Sequence, residues 1–155
     1  MSGAIEARLA ELGLELPDVV PPLASYVPAL RTGNYVYTSG QLPMVDGKLP
    51  VTGKVGAEVT PEEARELAAR CALNALAAVK SVVGDLDKVK RVVKVVGFVA
   101  SAPDFTGQPA VVNGASELVG QVFGEKGVHA RSAVGVAVLP IDAPVEVEFQ
   151  VEVED

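Results

Sequence analysis

A chain of 155 residues has the length of one ordinary domain, and a composition that is 49% hydrophobic without tryptophan predicts an aliphatic core. The 20 Asp and Glu outnumber the 13 Lys and Arg, so the formal net charge of −7 argues against binding to nucleic-acid backbones. One cysteine, Cys71, excludes an internal disulfide bond, and no apolar run approaches the roughly 18 residues that a transmembrane helix needs.

The positions of the charged residues, the histidine and the cysteine indicate three further properties: cellular location, metal binding and the character of the basic stretch. Acidic residues within segment 1–15 are unlike the basic start and apolar centre of a signal peptide, so we expect a cytoplasmic protein. The single His and single Cys lie at unrelated positions, so no metal site is expected, and Cys71 is interpreted as a buried small hydrophobe. The basic stretch 88–94 favours the solvated side of a strand, with a small basic groove as the alternative.

The first part of the chain predicts a helix and then a β-hairpin. Apolar side chains recur at helical spacing over residues 4–13, and Gly13 ends that pattern. Strands are predicted over residues 25–31 and 34–39, because β-forming residues flank a turn sequence that contains Gly and Asn. A further small strand is predicted near residues 51–55.

The second part alternates long helices with strands. Thr60-Pro61-Glu62-Glu63 is a capping-box sequence, and it predicts a helix that runs to about Val83 and ends at Gly84. A second helix is predicted over residues 108–123. The predicted strands of this part span residues 89–101, 131–138 and 145–153, the last with strict alternation of apolar and mostly acidic residues.

This order predicts an α+β domain with a single sheet and two long helices packed on one face. Residues 1–21 form a helical N-terminal extension of that domain, and residues 22–153 form its core. The other face of the sheet is expected to carry Val, Ala and Gly side chains. Such a face is usually buried by oligomerisation.

Two separated motifs make the chain resemble the RidA/YjgF family of reactive-intermediate deaminases, once called L-PSP endoribonucleases. The segment 35–43 ends in Ser-Gly-Gln-Leu-Pro, and the C-terminal part contains Ala130-Arg131-Ser132, Leu139-Pro140 and Val145-Glu146-Val147 in the family's order. The resemblance covers about residues 22–153. It implies a chorismate-mutase-like fold and a homotrimer whose sheets form an inner barrel, with small-carboxylate ligands bound in clefts between subunits.

The resemblance also implies roles for six residues. Arg131 matches the arginine that grips the substrate carboxylate, a task suited to a planar guanidinium fork. Glu146 matches an acidic residue near a reactive water. The remaining matches are substrate-binding residues: Tyr26, Ser39, Gly40 and Asn113.

Most of these residues also have a structural interpretation. Arg131 is alternatively an exposed arginine at a strand end. Tyr26 is as well explained by packing in a strand, Ser39-Gly40 by a strand-ending turn, and Glu146 by an outward position on an alternating strand. His129 replaces a proline that often precedes Ala-Arg in the family, and we interpret it as a neutral loop histidine at the cleft rim in preference to a general base. The departures near Tyr26, Asn113 and His129 indicate a divergent subgroup.

Three functions are therefore compared. The first is hydrolysis of 2-imino or enamine acids to 2-keto acids and ammonia, a hydrolase reaction on C=N bonds that needs no metal or organic cofactor because a protonated imine is already electrophilic. The second is a trimeric protein that binds or senses a small carboxylate without turnover. The third, ribonuclease activity, is disfavoured by the acidic composition.

Overall fold

The computed structural model describes residues 3–22 and 24–155, in which three α-helices accompany one five-stranded sheet. The helices are α1 (Ala4–Glu11), α2 (Pro61–Val83) and α3 (Gln108–Phe123). The strands are β1 (Ala29–Thr32), β2 (Tyr35–Thr38), β3 (Val89–Ala100), β4 (Ala130–Val136) and β5 (Val145–Val153). Their order across the sheet is β1-β2-β5-β3-β4, and every neighbouring pair is antiparallel except β3 and β4. The predicted α+β class and its single sheet are confirmed.

The N-terminus of α2 forms as the sequence predicts. Thr60 Oγ1 accepts a hydrogen bond from the backbone N–H of Glu63, and the Glu63 carboxylate accepts one from the backbone N–H of Thr60. These two bonds satisfy backbone donors that the first helical turn leaves without partners. Gly84 ends the helix with a φ of +84°, a left-handed value that suits glycine.

Helices α2 and α3 cross closely enough that their contact requires glycine. A Cβ at Gly114 of α3 would come closer than 3.0 Å to the backbone carbonyl oxygen of Arg65 on α2. The side chain of Arg65 also forms an ion pair with Glu117 across the same crossing. The two helices therefore form one layer, which covers one face of the sheet.

The alternation of β5 determines which sheet face meets the helices. Its odd-numbered residues from Val145 to Val153 are buried, whereas Glu146, Glu148, Gln150 and Glu152 are only partly covered. The apolar set packs under α2 and α3, so the acidic set must lie on the open face.

The expected composition of that open face is wrong in part. By strand register it carries Tyr35, Tyr37 and Phe98 beside the β5 glutamates, as well as valine side chains. The physical reason is that β5 has only one apolar face, and the helices use it.

Several predicted boundaries need correction. The first strand begins at Ala29, after a bend and after Pro28, which has no N–H to donate although its carbonyl oxygen accepts from the N–H of Ser39. Strand β4 ends at Val136. The predicted helix over residues 4–13 ends at Glu11, ahead of a turn. No strand forms over residues 51–55, where Val55 makes only isolated bridges to Val59 and Ser101.

The short helix α1 is held against the segment that precedes strand β3. The Asp87 carboxylate accepts hydrogen bonds from the backbone N–H groups of Ala4 and Ile5, both at 2.9 Å. The hydrogen bond from Ile5, followed in size of effect by the bond from Ala4, holds the pKa of Asp87 below its usual value. Lys80 of α2 forms an ion pair with Glu6. Among the described helices, none is long and apolar enough to cross a membrane.

Candidate ligand-binding and catalytic site

Arg131 stands on the edge strand β4 with its side chain toward the helical layer. Its register partner on β3 is Val95, which is fully buried beneath the helices. The guanidinium Nη1 donates to Asn113 Oδ1 at 2.7 Å and to Ser116 Oγ at 3.2 Å, and Nη2 lies 3.4 Å from the carbonyl oxygen of Pro109. The matched pair Arg131 and Asn113 is therefore in direct contact.

All three partners of Arg131 belong to one face of α3. Pro109, Asn113 and Ser116 are spaced by four and then three residues, which places their side chains in one row along a helix. These partners are a carbonyl, an amide and a hydroxyl, and none of them carries a negative charge. Within residues 3–22 and 24–155, no carboxylate forms an ion pair with Arg131.

His129 lies two residues before Arg131, and both of its ring nitrogens are engaged. Nδ1 is 2.5 Å from the carbonyl oxygen of Gly127, and Nε2 is 2.9 Å from Ser116 Oγ. The predicted position at the rim is consistent with its partial burial. A general base needs a free lone pair toward the substrate, and these contacts use the ring's donor and its acceptor.

Glu146 lies on the open face of β5, opposite Phe98 of β3. Burial is the main cause that raises the pKa of this carboxyl, and the neighbouring Glu148 raises it further. A carboxyl with a raised pKa can both accept and return a proton in the range where most carboxylates stay ionised. The chemistry expected of a residue beside a reactive water is thus available here.

The Ser39-Gly40 segment lies directly against Glu146. It is extended backbone between β2 and the bridge residue Gln41, so the alternative of a strand-ending turn is wrong. A Cβ at Gly40 would come closer than 3.0 Å to Oε2 of Glu146, so the absence of a side chain makes room for the carboxylate. Ser39 Oγ donates to the carbonyl oxygen of Val27 at 2.5 Å, which fixes this segment to the chain before β1. Gln41, buried beside them, exchanges two backbone hydrogen bonds with Val147.

Tyr26 shares a pocket with this segment. The residue is 46% exposed, and with Gly40 and Gln41 it lines a cavity whose other walls are apolar. These other walls are Val20, Pro21, Pro22, Pro28, Leu42 and Met44. Tyr26 lies in a bend, so the alternative of packing in a strand is wrong. Val20 and Pro21 of this wall belong to the predicted N-terminal extension, and no sequence signal indicated that they would line it.

The structure places the six sequence-predicted residues in two groups. One group consists of Tyr26, Ser39, Gly40 and Glu146, and the other consists of Arg131 and Asn113. Arg131 is paired with Val95 of β3, and Glu146 is paired with Phe98 of the same strand. Residues 95 and 98 are three apart, so they point to opposite faces, which places Arg131 toward the helices and Glu146 on the open face. One chain therefore does not bring Arg131 and Glu146 together on one face.

Ser116 is a residue that the sequence interpretation missed. It stands three positions after Asn113 on α3, and that spacing could have indicated a shared partner. The described residues contain no group of three or more His, Cys, Asp or Glu side chains placed to hold a metal ion. Cys71 is fully buried, and burial raises the pKa of its thiol well above the usual value.

The five-stranded sheet, with two long helices on one face, defines a chorismate-mutase-like α+β protein. The chain belongs to the family described as "YjgF/chorismate mutase-like, putative endoribonuclease", which matches residues 6–153. This confirms the resemblance that the two motifs indicated.

Individual relatives differ in what they are called. Protein TCP17 of Trypanosoma cruzi is 46% identical over 155 residues, covering 99% of this chain and 97% of that protein. The 2-iminobutanoate/2-iminopropanoate deaminase of Escherichia coli K12 is 35% identical over 128 residues, covering 81% of this chain and 85% of that protein.

Two solved structures show the same fold. Atu1372 of Agrobacterium tumefaciens, described as having unknown function, is 52% identical with a TM-score of 0.90 and covers 97% of this chain and 92% of its own. TdcF of Escherichia coli, solved with bound serine, is 28% identical with a TM-score of 0.60 and covers 88% of this chain and 94% of its own. A small molecule with a carboxylate thus binds to at least one protein of this fold.

Proposed function

We propose that this protein hydrolyses reactive 2-imino or enamine acids to 2-keto acids and ammonia. The observation that carries the proposal is the uncompensated charge of Arg131, which three neutral groups hold in place. A fixed guanidinium without a carboxylate partner is prepared for an anionic ligand and costs little reorganisation when the ligand binds. The similarity to a 2-iminobutanoate/2-iminopropanoate deaminase supports an imino acid as that ligand.

The reaction requires one proton acceptor beside the substrate. Water adds to the carbon of the protonated C=N group while the Glu146 carboxylate takes a proton from that water. Glu146 then returns this proton to the nitrogen of the tetrahedral intermediate. The C–N bond breaks and ammonia leaves, while the hydroxyl group gives its own proton to the Glu146 carboxylate and the C=O bond forms. The raised pKa of Glu146 suits both halves of this transfer. Arg131 holds the substrate carboxylate throughout.

The proposed site is completed by a second copy of the chain, in clefts of a homotrimer. The separation of Arg131 and Glu146 on opposite faces supports this arrangement, because one copy alone does not form the site. Exposed aromatic side chains on the open face, Tyr35 at 44% and Tyr37 at 39%, would lose contact with water on assembly. Sedimentation at three times the 16.0 kDa chain mass is the expected result, and a monomer would contradict it.

The direct test generates an imino acid in solution with an L-amino acid oxidase and follows its conversion to keto acid. The wild-type protein should accelerate the conversion, and Glu146→Gln should remove most of the acceleration. Glu148→Gln is the matched control, since Glu148 lies two residues along the same face of β5. Equal rates with and without the wild-type protein would contradict the proposal.

A binding role without turnover is the second candidate, and the serine-bound TdcF structure favours it. In that case serine or a keto acid would raise the unfolding temperature, whereas no keto acid or ammonia would form from the imine. Ribonuclease activity has weaker support, because the chain carries a net charge of −7. RNA cleavage that disappears in Arg131→Ala would restore that candidate.

A further inference from the structure

We propose that His129, acting through Ser116, is a positioning residue that selects which edge of the Arg131 guanidinium meets a carboxylate. The inference rests on the proposed role of Arg131 as a carboxylate anchor. It adds two residues to the site, and it accounts for the histidine that stands before Ala130-Arg131.

The first step is the proton on the His129 ring. Nδ1 lies 2.5 Å from the carbonyl oxygen of Gly127, and a carbonyl oxygen can only accept. Nδ1 therefore carries the hydrogen, and in the neutral imidazole Nε2 is left as an acceptor. Ser116 Oγ is 2.9 Å from Nε2, so the serine hydroxyl is the donor in that contact.

The second step is the orientation of the Ser116 hydroxyl. Its one hydrogen points to His129, and only its lone pairs remain for Arg131. Arg131 Nη1 lies 3.2 Å from Ser116 Oγ and 2.7 Å from Asn113 Oδ1, so the two Nη1 hydrogens are both used. Because Nη1 donates two hydrogen bonds, the guanidinium cannot rotate within its plane without losing the bond to Asn113 or the bond to Ser116.

The third step is the edge that remains. Nη2 makes one contact, with the Pro109 carbonyl oxygen at the long distance of 3.4 Å, which leaves its second hydrogen and the neighbouring Nε–H. None of the described residues accepts from that Nε–H or from that second Nη2 hydrogen. Two parallel N–H groups on one edge match the two oxygens of a carboxylate. The bonds from Nη1 to Asn113 and Ser116 thus leave the edge that carries Nε and Nη2 for the ligand.

Gly127, where this series of contacts begins, is held tightly against α3. Gly127 is buried, and a Cβ there would stand 2.6 Å from the carbonyl oxygen of Val119, so this residue lies directly on α3. Its carbonyl fixes His129, which fixes Ser116, which is itself on α3. The contacts therefore form a closed path from α3 through the 3-10 turn before β4 and back to α3.

The test measures the dissociation constant of pyruvate, the keto acid that 2-iminopropanoate would give, and of pyruvamide, which lacks the charged carboxylate. Ser116→Ala and His129→Leu should each weaken pyruvate binding about tenfold, since a hydrogen bond that orients a charged group is lost. Pyruvamide binding should change little. His129→Gln should restore most of the pyruvate affinity, because its side-chain oxygen can accept from Ser116.

The double variant Ser116→Ala with His129→Leu should lose no more affinity than the larger single loss, because both changes break one path. Ser81→Ala is the matched control, a serine on α2 whose hydroxyl donates to the carbonyl of Ala78. A purely structural role predicts instead that the unfolding temperature falls while pyruvate and pyruvamide affinities change equally, and this result would overturn the inference.

The same measurements separate failure of this inference from failure of the proposed function. If Arg131→Ala abolishes pyruvate binding but Ser116→Ala and His129→Leu leave it unchanged, only the positioning role is wrong. If Arg131→Ala leaves pyruvate binding unchanged, the carboxylate anchor itself is wrong, and the proposed function fails with it.

Discussion

Gly40 and Glu146 are in such close contact that no side chain fits at residue 40. A Cβ there would come closer than 3.0 Å to the Glu146 carboxylate, whose pKa is raised mainly by burial. The Ser39-Gly40 segment and the carboxyl group are therefore one structural unit, and the resemblance to deaminases involves both of them.

Gly40→Ala should lower the turnover rate of an imino acid on the order of a hundredfold, because the Glu146 carboxylate must move away from the reacting atoms. The dissociation constant of pyruvate should change much less, since Arg131 holds the carboxylate from another face of the sheet. Steady-state kinetics together with pyruvate titration checks this. A variant with unchanged turnover would show that Glu146 does not need its present position.

The pH dependence of stability gives a second prediction. Because the pKa of Glu146 is raised in the folded state, the fold favours its protonated form. The stabilising contribution is complete below the unfolded-state pKa and is lost as pH rises through the folded-state pKa. At neutral pH the ionised carboxylate therefore opposes folding. Glu146→Gln should raise the unfolding temperature at pH 7.5, and the gain should shrink towards pH 4.

The matched variant Glu148→Gln separates stability from catalysis. Burial also raises the pKa of Glu148, whereas the nearby Lys94 lowers it, so a smaller gain in unfolding temperature is expected. This variant should keep its turnover, whereas Glu146→Gln should lose on the order of a hundredfold or more, as expected for removal of a general base. Loss of turnover in both variants alike would indicate a general effect of charge on the open face.

A third prediction concerns the crossing of the two long helices. Gly114→Ala should destabilise the protein by about 2–4 kcal/mol, because the new methyl group would press against the backbone carbonyl of Arg65, which cannot turn aside. Gly120→Ala is the control on the same helix. Apart from its chain neighbours and the nearby backbone of α3, no atom of the described residues lies within 4 Å of its Cβ position, so the substitution should stabilise by about 0.5–1 kcal/mol. Urea unfolding of both variants tests the contrast.

The sequence predicted the regular elements that have strong periodic patterns. Helix α3 and strand β5 have the predicted bounds, Gln108–Phe123 and Val145–Val153, since apolar spacing alone defines them. Segment 25–28 contains the strand-forming residues Tyr26 and Val27, but the ladder begins only after Pro28, which has no N–H to donate to it. Near Val55, isolated bridges replace the predicted strand.

The site was predictable in its parts but not in its assembly. Motifs identified Arg131, Glu146 and Gly40, and the structure shows Gly40 against Glu146. The alternation of β3 places Arg131 and Glu146 on opposite faces, a fact that needs the register of three strands. The helical spacing of Ser116 from Asn113 was a local signal for a shared partner, whereas the N-terminal wall of the Tyr26 pocket depends on contacts between distant segments.

The most direct test of the account is imino-acid hydrolysis by the wild-type protein and by Arg131→Ala, with Arg91→Ala as the matched control. Arg91 lies on the neighbouring strand β3, and its guanidinium also donates to a backbone carbonyl, that of Val128, but none of its bonds reaches α3. We predict that Arg131→Ala loses nearly all acceleration of keto-acid formation at unchanged folded content by circular dichroism, whereas Arg91→Ala keeps it. Full activity of a folded Arg131→Ala protein would contradict the central claim that this arginine holds the substrate.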